Sequence, residues 1–335
     1  MKRIGIVGLG LIGERHARAV AEHAGAELAC VVDPVAERRG GFDVPGFATL
    51  EDVDLALDGV ILATPSAMHA DGAELALARG WPCLIEKPIE VDLAGADRIV
   101  AASDRSGLPV LTGHHRRYHA HVQALRDMLR DGAIGRVVTA TAIWSVRKPD
   151  DYFVGNWRAG ADGSPVMINM VHEIDLLRFL LGEVVEVQAL GVQPIRGADR
   201  VESGVLALRF ESGTVASVTF ADTAPSPWGF EAGTGENPNI ATSGQDSLWI
   251  TGTAGAISFP SMTLWRGASH WGEAPNPVRE DFARTDPLAA QLDHFIDVLN
   301  GAAPLITALD ARRSLAVTLD VEAQVTPQRK DALAS

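Results

Sequence analysis

The stretch Ile4-Gly5-Ile6-Val7-Gly8-Leu9-Gly10-Leu11-Ile12-Gly13 decides the fold of the first third of the chain. A short apolar strand runs into a glycine turn with the spacing G-x-G-x-x-G, and a helical stretch comes after it. The first glycine permits a tight turn, the second lets the backbone approach a pyrophosphate, and the third allows helix and strand to pack closely. The amide groups and positive dipole at the start of the helix favour phosphate. We predict a dinucleotide-binding turn whose contacts are Gly8, Gly10, Leu11, Ile12 and Gly13.

A carboxylate follows the next predicted strand. Residues 28–32 are apolar, and Asp33 comes after them, about 20 residues beyond the last glycine of the turn. A carboxylate at this place accepts hydrogen bonds from both adenosine ribose hydroxyls and repels a 2′-phosphate. Asp33 therefore predicts NAD as the cofactor in preference to NADP.

Further apolar strands alternate with helices up to about residue 118. Strands are predicted at 60–63, 83–85 and 110–112, with helices at 69–79 and 93–106. This alternation predicts a parallel sheet covered on both faces, a Rossmann domain over residues 1–118. Thr64, Pro65 and His69 follow the third clear strand, at the edge where such sheets bind ligands, and we expect them to contact the cofactor. A helix N-terminal residue without a ligand role is an open alternative for His69.

The tripeptide Glu86-Lys87-Pro88 follows the apolar run 83–85. A lysine at the end of a buried strand needs a partner or a task, because burying its charge costs free energy. The proline after it stiffens the backbone and removes a hydrogen-bond donor. We predict that Glu86 and Lys87 contact the cofactor at this edge and that Lys87 is catalytic.

The remaining residues, 119–335, have a different pattern. Helices are predicted at 122–130, 166–181, 287–299 and 307–325, and a long loop at 223–245. Between 136 and 264 the strands are longer and are joined by tight turns, which favours an antiparallel sheet. We predict a second domain over 119–335 that binds substrate and mediates oligomerisation.

Composition limits the classes of partner. The chain has 335 residues and 47% hydrophobic content, enough for about two domains, and its formal net charge of −14 disfavours nucleic acid and anionic membranes. Cys30 and Cys83 lie in apolar strands, as buried thiols in a reducing compartment do. No apolar run approaches the roughly 18 residues that span a bilayer. We predict a cytoplasmic protein with neither nucleic acid nor membrane as a partner.

Together with these motifs, Gly113-His114-His115-Arg116-Arg117-Tyr118 makes the chain resemble the Gfo/Idh/MocA oxidoreductases over essentially its full length. This family includes glucose–fructose oxidoreductase and inositol dehydrogenases. The resemblance implies an α/β protein: an N-terminal Rossmann domain and a C-terminal α/β domain built on a large, mostly antiparallel open sheet. It also implies that Lys87 lies beside the nicotinamide, that the Lys87-Pro88 peptide is cis, and that the protein is a homodimer or homotetramer.

The segment from Ile168 to Asp175 resembles the second catalytic motif of the family, with one departure. The family aspartate four residues before the histidine is Ile168 here, and Asn169 follows it. On a regular helix Asn169 and His172 share a face. We therefore predict catalytic roles for both: Asn169 binds a substrate hydroxyl, and His172 accepts its proton. A structural role in the core is the alternative for His172.

Basic and aromatic residues precede the histidine helix. Arg147, Tyr152, Trp157 and Arg158, with Asn169 and His172, are the predicted substrate contacts. Such a set suits a sugar, cyclitol or related ring diol, with or without a carboxylate. The alternative is that Trp157 packs in the core while Arg147 and Arg158 form surface ion pairs.

The sequence thus predicts an NAD-dependent dehydrogenase that acts on the CH–OH group of a small polyol or sugar-like substrate. No metal is predicted, because the nicotinamide accepts the hydride. Two other functions stay open: an NAD-dependent glycosidase with no net redox change, and a non-catalytic NAD-binding regulator.

Overall fold

The computed structural model describes residues 1–154, 158, 160, 163–192, 194–196, 200–280, 282 and 285–326. The chain divides into two compact units. The first consists of Met1–Tyr118 and Pro287–Ala316, and the second of His119–Asp286 and the residues from Val317 onward. The first division lies where the sequence predicts a domain boundary. The predicted continuous second domain over 119–335 differs from these units, because residues 287–316 belong with the first.

The first unit is built on a parallel sheet. Its strands are β1 (Lys2–Val7), β2 (Ala26–Val32), β3 (Gly46–Phe47), β4 (Gly59–Leu62), β5 (Cys83–Ile85) and β6 (Val110–Thr112). Within the described residues the order is β3-β2-β1-β4-β5-β6, and every pair is parallel. This is the predicted Rossmann sheet. Only β3, two residues long, was not predicted, since so short a segment leaves no periodic pattern.

Helices α1 (Leu11–Glu22), α2 (Ala36–Arg39), α3 (His69–Ala78) and α4 (Leu93–Ser106) connect these strands. Asp92 caps α4 by accepting a hydrogen bond from the amide of Gly95 at 2.8 Å, and Gly107 ends it in the left-handed conformation. All of β4 and β1 from Ile4 onward are buried, as strands covered by helices on both faces must be. The carboxyl ends of all these strands share one edge, where loops carry the candidate cofactor residues.

The second unit contains α5 (Ala120–Arg130) and an eight-stranded sheet. The strands are β7 (Val137–Ser145), β8 (Val184–Gly191), β9 (Ser203–Phe210), β10 (Val215–Ala221), β11 (Leu248–Gly252), β12 (Gly255–Phe259), β13 (Thr263–Arg266) and β14 (Asn276–Arg279). Their order is β14-β13-β12-β11-β7-β10-β9-β8. Among the described pairs only β7 and β10 are parallel. The predicted large, mostly antiparallel sheet is confirmed.

Two predictions about helices in this unit need correction. The predicted helix 166–181 starts with a π-helical turn, Val166–Met170, before α6 (Val171–Leu181). The predicted loop 223–245 contains a short helix, α7 (Phe230–Thr234). Phe230 is buried and stacks on Phe259 with 5.3 Å between ring centroids, which fixes this helix despite the surrounding glycines and prolines.

The last two helices are α8 (Pro287–Leu299) and α9 (Ala308–Val325). Leu292, Phe295, Ile296 and Val298 of α8 pack in the same core as Ile4, Ile61 and Leu111 of the parallel sheet. This burial is why residues 287–316 belong with the first unit although they come after the second along the chain. In the part of the chain that the structure describes, no helix combines the length and apolar character needed to cross a membrane.

Candidate functional site

The glycine turn after β1 has the shape that close approach of a phosphate requires. Gly8 has φ of 89°, and a β carbon there would lie 2.6 Å from the carbonyl oxygen of Ala63. A β carbon on Gly13 would lie 1.9 Å from the carbonyl oxygen of Gly8. At Gly10, by contrast, a β carbon would meet no described atom within 4 Å. Gly8 and Gly13 are therefore required by the fold, whereas Gly10 leaves open space outside the turn. The exposed Leu11 starts α1 beside it.

Asp33 is held rigidly at the end of β2. Its carboxylate accepts hydrogen bonds from the amide of Leu9 at 2.8 Å and from the amide of Val35 at 2.9 Å. Arg38 Nη1 lies 3.5 Å from Asp33 Oδ2, and the Arg38 side chain is half exposed. The carboxylate is therefore fixed against the glycine turn, with its oxygens able to accept further hydrogen bonds.

His69 joins two loops of the sheet edge. Its ring is 1% exposed, Nε2 lies 3.0 Å from the carbonyl oxygen of Thr64, and Nδ1 lies 3.2 Å from those of Pro88 and Ile89. Burial lowers the pKa of His69, and the hydrogen bonds with the carbonyls act in the opposite direction. Because both ring nitrogens face protein carbonyls, the ring has no free nitrogen for the predicted cofactor contact. It links the Thr64-Pro65 turn to the segment after Lys87.

Glu86 is buried, and its carboxylate points into the protein. Oε1 lies 2.8 Å from His16 Nε2, and Oε2 accepts a hydrogen bond from the amide of Lys87 at 3.2 Å. A β carbon on Gly113 would lie 3.0 Å from Glu86 Oε1, so a larger residue there would require the carboxylate to move by a few tenths of an ångström. Burial raises the pKa of Glu86, but the hydrogen bond with His16 and the charges of His16 and Lys87 outweigh it and bring the pKa to about 2. Glu86 thus supports the loop from within, and its predicted contact with the cofactor stays a prediction.

The Lys87-Pro88 peptide bond is cis, as predicted. Lys87 is partly exposed two residues after β5, between the buried Glu86 and the partly exposed Pro88. His16, the partner of Glu86, was not predicted as part of the site. It lies on α1 with 2% exposure. A single histidine inside a helical pattern carries no signal of a partner 70 residues away.

In the second unit His172 lies in the first turn of α6 and is 8% exposed. Ile168 and Asn169 lie in the π-helical turn before it. A π turn has wider spacing than an α-helix, so the regular i,i+3 relation predicted for Asn169 and His172 does not apply across it. Asn169 Oδ1 is buried and has no hydrogen-bond partner among the described residues. Single π turns occur often at functional sites.

Cations and aromatic rings gather on the segment after β7. The ring of Tyr152 has Lys148 Nζ at 5.2 Å and the guanidinium carbon of Arg158 at 4.8 Å from its centroid. Arg147, in contrast, is half exposed and pairs with Asp150 at 3.3 Å, which matches the surface alternative for this residue. Trp157, the fourth predicted contact, lies outside the described residues. Tyr152 and Arg158 are thus brought together, and Arg147 belongs to a surface pair.

A buried ion cluster behind this segment was not predicted. Asp222 is fully buried and pairs with Arg196 at 2.7 Å and with Arg200 at 3.1 Å. Arg196 also donates a hydrogen bond to the carbonyl oxygen of Lys148 at 3.0 Å. The cluster therefore fixes the backbone that carries Lys148. Asp222 lies 26 residues from Arg196 and 22 residues from Arg200 in the sequence, so only the fold shows that they are partners.

Two family models match the chain. The model of an oxidoreductase family with an NAD-binding Rossmann fold matches residues 2–114, and that of the Gfo/Idh/MocA C-terminal domain matches residues 122–258. The rhizopine catabolism protein MocA of Rhizobium meliloti is 35% identical over 188 residues, which is 54% of this chain and 57% of that protein. This match thus spans little more than half the length of MocA.

Other relatives match over nearly the full length. The UDP-N-acetylglucosamine 3-dehydrogenase of Acidithiobacillus ferrooxidans is 27% identical over 96% of this chain and 97% of that protein. Its solved structure has a TM-score of 0.77 at 25% identity, covering 97% of this chain and 98% of that one. A structure from Desulfitobacterium hafniense, provisionally described as an NADPH-dependent oxidoreductase, has a TM-score of 0.82 at 25% identity and covers 96% and 94%. The chain belongs to the Gfo/Idh/MocA family of oxidoreductases, whose N-terminal domain is an NAD-binding Rossmann fold.

Proposed function

We propose that this protein is an NAD-dependent dehydrogenase that transfers a hydride between a secondary alcohol and the nicotinamide. The alcohol belongs to a sugar, a cyclitol or a related ring diol, with or without a carboxylate. One observation carries the proposal: Lys87 follows β5 at the edge of the parallel sheet that also bears the glycine turn after β1 and Asp33 after β2. Sheets of this type bind their ligands at that edge.

The residues of the first unit fit the dinucleotide. The open space at Gly10 suits a pyrophosphate, and the fixed carboxylate of Asp33 suits the ribose hydroxyls. NAD, when bound, supplies the ring that accepts the hydride. We propose that NAD is preferred over NADP, because a 2′-phosphate would meet the buried charge of Asp33. Arg38, 3.5 Å from that carboxylate, is the one described cation in contact with it.

Lys87 holds the oxygen of the reacting alcohol in this proposal. Its ammonium group donates a hydrogen bond to that oxygen and stabilises the negative charge that develops as the hydroxyl proton leaves. The stiff backbone after Lys87 and the anchored carboxylate before it support such a role.

His172 takes the hydroxyl proton on an imidazole nitrogen, because imidazole is the side chain best suited to exchange a proton near neutral pH. The buried Asn169 Oδ1, without a hydrogen-bond partner in the described chain, supports the proposal that its amide binds a second substrate hydroxyl. No carboxylate takes part from position 168, since that residue is Ile168.

The substrate class is supported by two observations. The relatives carry names of enzymes that act on sugars and inositols, including an inositol 2-dehydrogenase that is 33% identical over 54% of this chain. Tyr152, flanked by Lys148 and Arg158, offers an aromatic face beside two cations. An aromatic face suits the apolar side of a ring, and the cations suit its hydroxyls or a carboxylate.

We also propose that the protein is a homodimer or homotetramer, formed through one face of the eight-stranded sheet. Val205, Thr219 and Ile143 form one register row on that face, and Val205 is 46% exposed. A sheet face with apolar residues gains stability when it is covered. Light scattering after gel filtration gives the mass in solution, and a monomer at micromolar concentration would contradict this proposal.

The test is a screen of NAD reduction with sugars, cyclitols, sugar acids and ring dihydrodiols, followed by variants with the best substrate. We expect Lys87→Ala and His172→Ala to lower turnover by orders of magnitude while the fold is kept. Lys2→Ala and His270→Ala are matched controls and should leave turnover unchanged. Near-normal turnover in both Lys87→Ala and His172→Ala would refute these assignments. Product release without net NADH would instead indicate the glycosidase.

A further inference from the structure

The segment that carries Lys87 is anchored on its amino side by a buried histidine. His16 Nε2 lies 2.8 Å from Glu86 Oε1, and both residues are buried, with 2% and 8% exposure. The bond fixes the side-chain position of the residue directly before the lysine. His16 lies on α1, the helix that begins at the glycine turn. A change in the position of that turn therefore reaches Glu86 through one rigid helix and one hydrogen bond.

A second buried histidine anchors the same segment on its carboxyl side. His69 Nδ1 lies 3.2 Å from the carbonyl oxygens of both Pro88 and Ile89. The opposite nitrogen, Nε2, lies 3.0 Å from the carbonyl oxygen of Thr64. His69 therefore connects the turn after β4 to the two residues that come after Lys87.

The two histidines come from helices that each follow a loop of the candidate cofactor site. α1 follows the turn Gly8 to Gly10, and α3 follows the turn that begins at Thr64. We propose that His16 and His69 are positioning residues for Lys87. When the dinucleotide orders these two loops, the two histidines transmit that order to the segment 86–90, which carries the lysine. This inference rests on the proposed function, since it is the catalytic placement of Lys87 that the histidines would control.

The charged neighbours of this arrangement have both signs, since Lys87 and His115 act electrostatically on Glu86. Glu86 is the partner of His16, and Glu86 and Glu90 are the carboxylates that act electrostatically on His69. Glu90 is itself held by the amides of Ala70 and Val91. Both carboxylates are buried, with 8% and 4% exposure. Because the two histidines hold the same short segment, 86–90, loss of either contact should loosen the backbone around Lys87.

Matched amide substitutions separate the two nitrogens of each ring. The amide nitrogen of glutamine lies as far from the backbone as Nε2 of histidine, and that of asparagine as far as Nδ1. Hence His16→Gln keeps the contact with Glu86, and His16→Asn loses it. At the other anchor the order is reversed: His69→Asn keeps the contacts with Pro88 and Ile89, and His69→Gln keeps only the contact with Thr64. All four variants place a polar amide of similar size in a buried site.

The experiment is hydrogen exchange of the full-length protein followed by mass spectrometry, with and without NADH as the probe. In the natural protein we expect NADH to slow exchange of the amides of Lys87, Ile89 and Glu90 by about tenfold or more. His16→Gln and His69→Asn should retain this protection. His16→Asn and His69→Gln should lose it while NADH still protects residues 8–13.

Equal behaviour of the two variants at either position would overturn the inference. Loss of NADH protection at residues 8–13 in all four variants would also overturn it, because the histidines would then serve cofactor binding alone. With the best substrate of the screen, His16→Asn should lower kcat by up to about 100-fold relative to His16→Gln, and His69→Gln should do so relative to His69→Asn. The Kd for NADH should be unchanged in all four variants. If Lys87→Ala turns over normally, the proposed function fails, whereas the exchange pattern tests the anchors alone.

Discussion

The buried carboxylate of Glu86 makes a quantitative prediction about acid stability. Its pKa falls from the ordinary 4.5 to about 2 in the folded protein. At about 1.4 kcal/mol per pKa unit, this ionised carboxylate contributes about 3 kcal/mol to the free energy of unfolding above its unfolded-state pKa. The contribution is lost as the pH falls from 4.5 towards 2, because the unfolded chain binds the proton first. About 2 kcal/mol of it should disappear between about pH 6 and pH 3.

The assay is urea unfolding of the natural protein and of Glu86→Gln across that pH range. The difference between the two free energies of unfolding isolates Glu86 from the other carboxylates and should shrink by about 2 kcal/mol. Glu186→Gln is the matched control: Glu186 is exposed and pairs with Arg209 at 2.7 Å, so its effect should be small and sensitive to salt. A difference that stays constant from about pH 6 to pH 3 would refute a buried, ionised Glu86 held by His16.

Three further predictions concern the cofactor loops. Gly10→Ala should change the free energy of unfolding by less than about 0.5 kcal/mol, because its β carbon meets open space in the protein. It should weaken NADH binding at least about tenfold, because the β carbon would occupy space that the pyrophosphate needs. Gly13→Ala should destabilise the fold by roughly 2 kcal/mol or more, because its β carbon would lie 1.9 Å from the carbonyl oxygen of Gly8. Asp33→Asn should weaken NADH binding by roughly 10- to 100-fold and raise the relative affinity for NADPH, which fluorescence titration with both cofactors measures. An equal loss of affinity for NADH and NADPH would contradict the role of Asp33 in cofactor specificity.

The parallel sheet could be predicted because its signals are local. Each strand is a short apolar run bounded by turn residues, and the glycine spacing identifies the turn after β1 and the start of α1. Two strands and one helix have the bounds that the pattern predicts: β5 (Cys83–Ile85), β6 (Val110–Thr112) and α4 (Leu93–Ser106). Helix α8 was also predicted, but its place in the first unit was not. The apolar face of α8 predicts that the helix is buried, but it does not indicate which sheet the helix packs against.

The sequence predicts those residues of the candidate site that belong to a sequence motif. It does not predict those that only tertiary contacts bring to the site. Lys87 and Asp33 follow strands, so the sequence places them at the ligand edge. His16 has no such signal, since its partner Glu86 is distant in the sequence. The Glu86 carboxylate lies against Gly113, which only the fold brings beside it.

The π turn before His172 shows another limit of the pattern. An apolar helical period continues through residues 166–181, so the sequence predicts one regular helix. The structure widens its first turn at Val166–Met170, where the Val171 amide donates to the carbonyl of Val166. Just before the turn, the hydroxyl of Ser164 donates a hydrogen bond to Glu322 at 2.7 Å. Such a local change of pitch depends on tertiary partners, and it alters which residues face the same side as His172.

The stoichiometry of turnover tests the central claim most directly. Purified protein, NAD and the best ring alcohol from the screen are incubated, and NADH is followed by absorbance while the oxidised product is measured by chromatography. A dehydrogenase forms one NADH for each ketone, and Lys87→Ala should abolish both together. Product formed without NADH, or reduction of NAD that is unchanged in Lys87→Ala, would contradict the account.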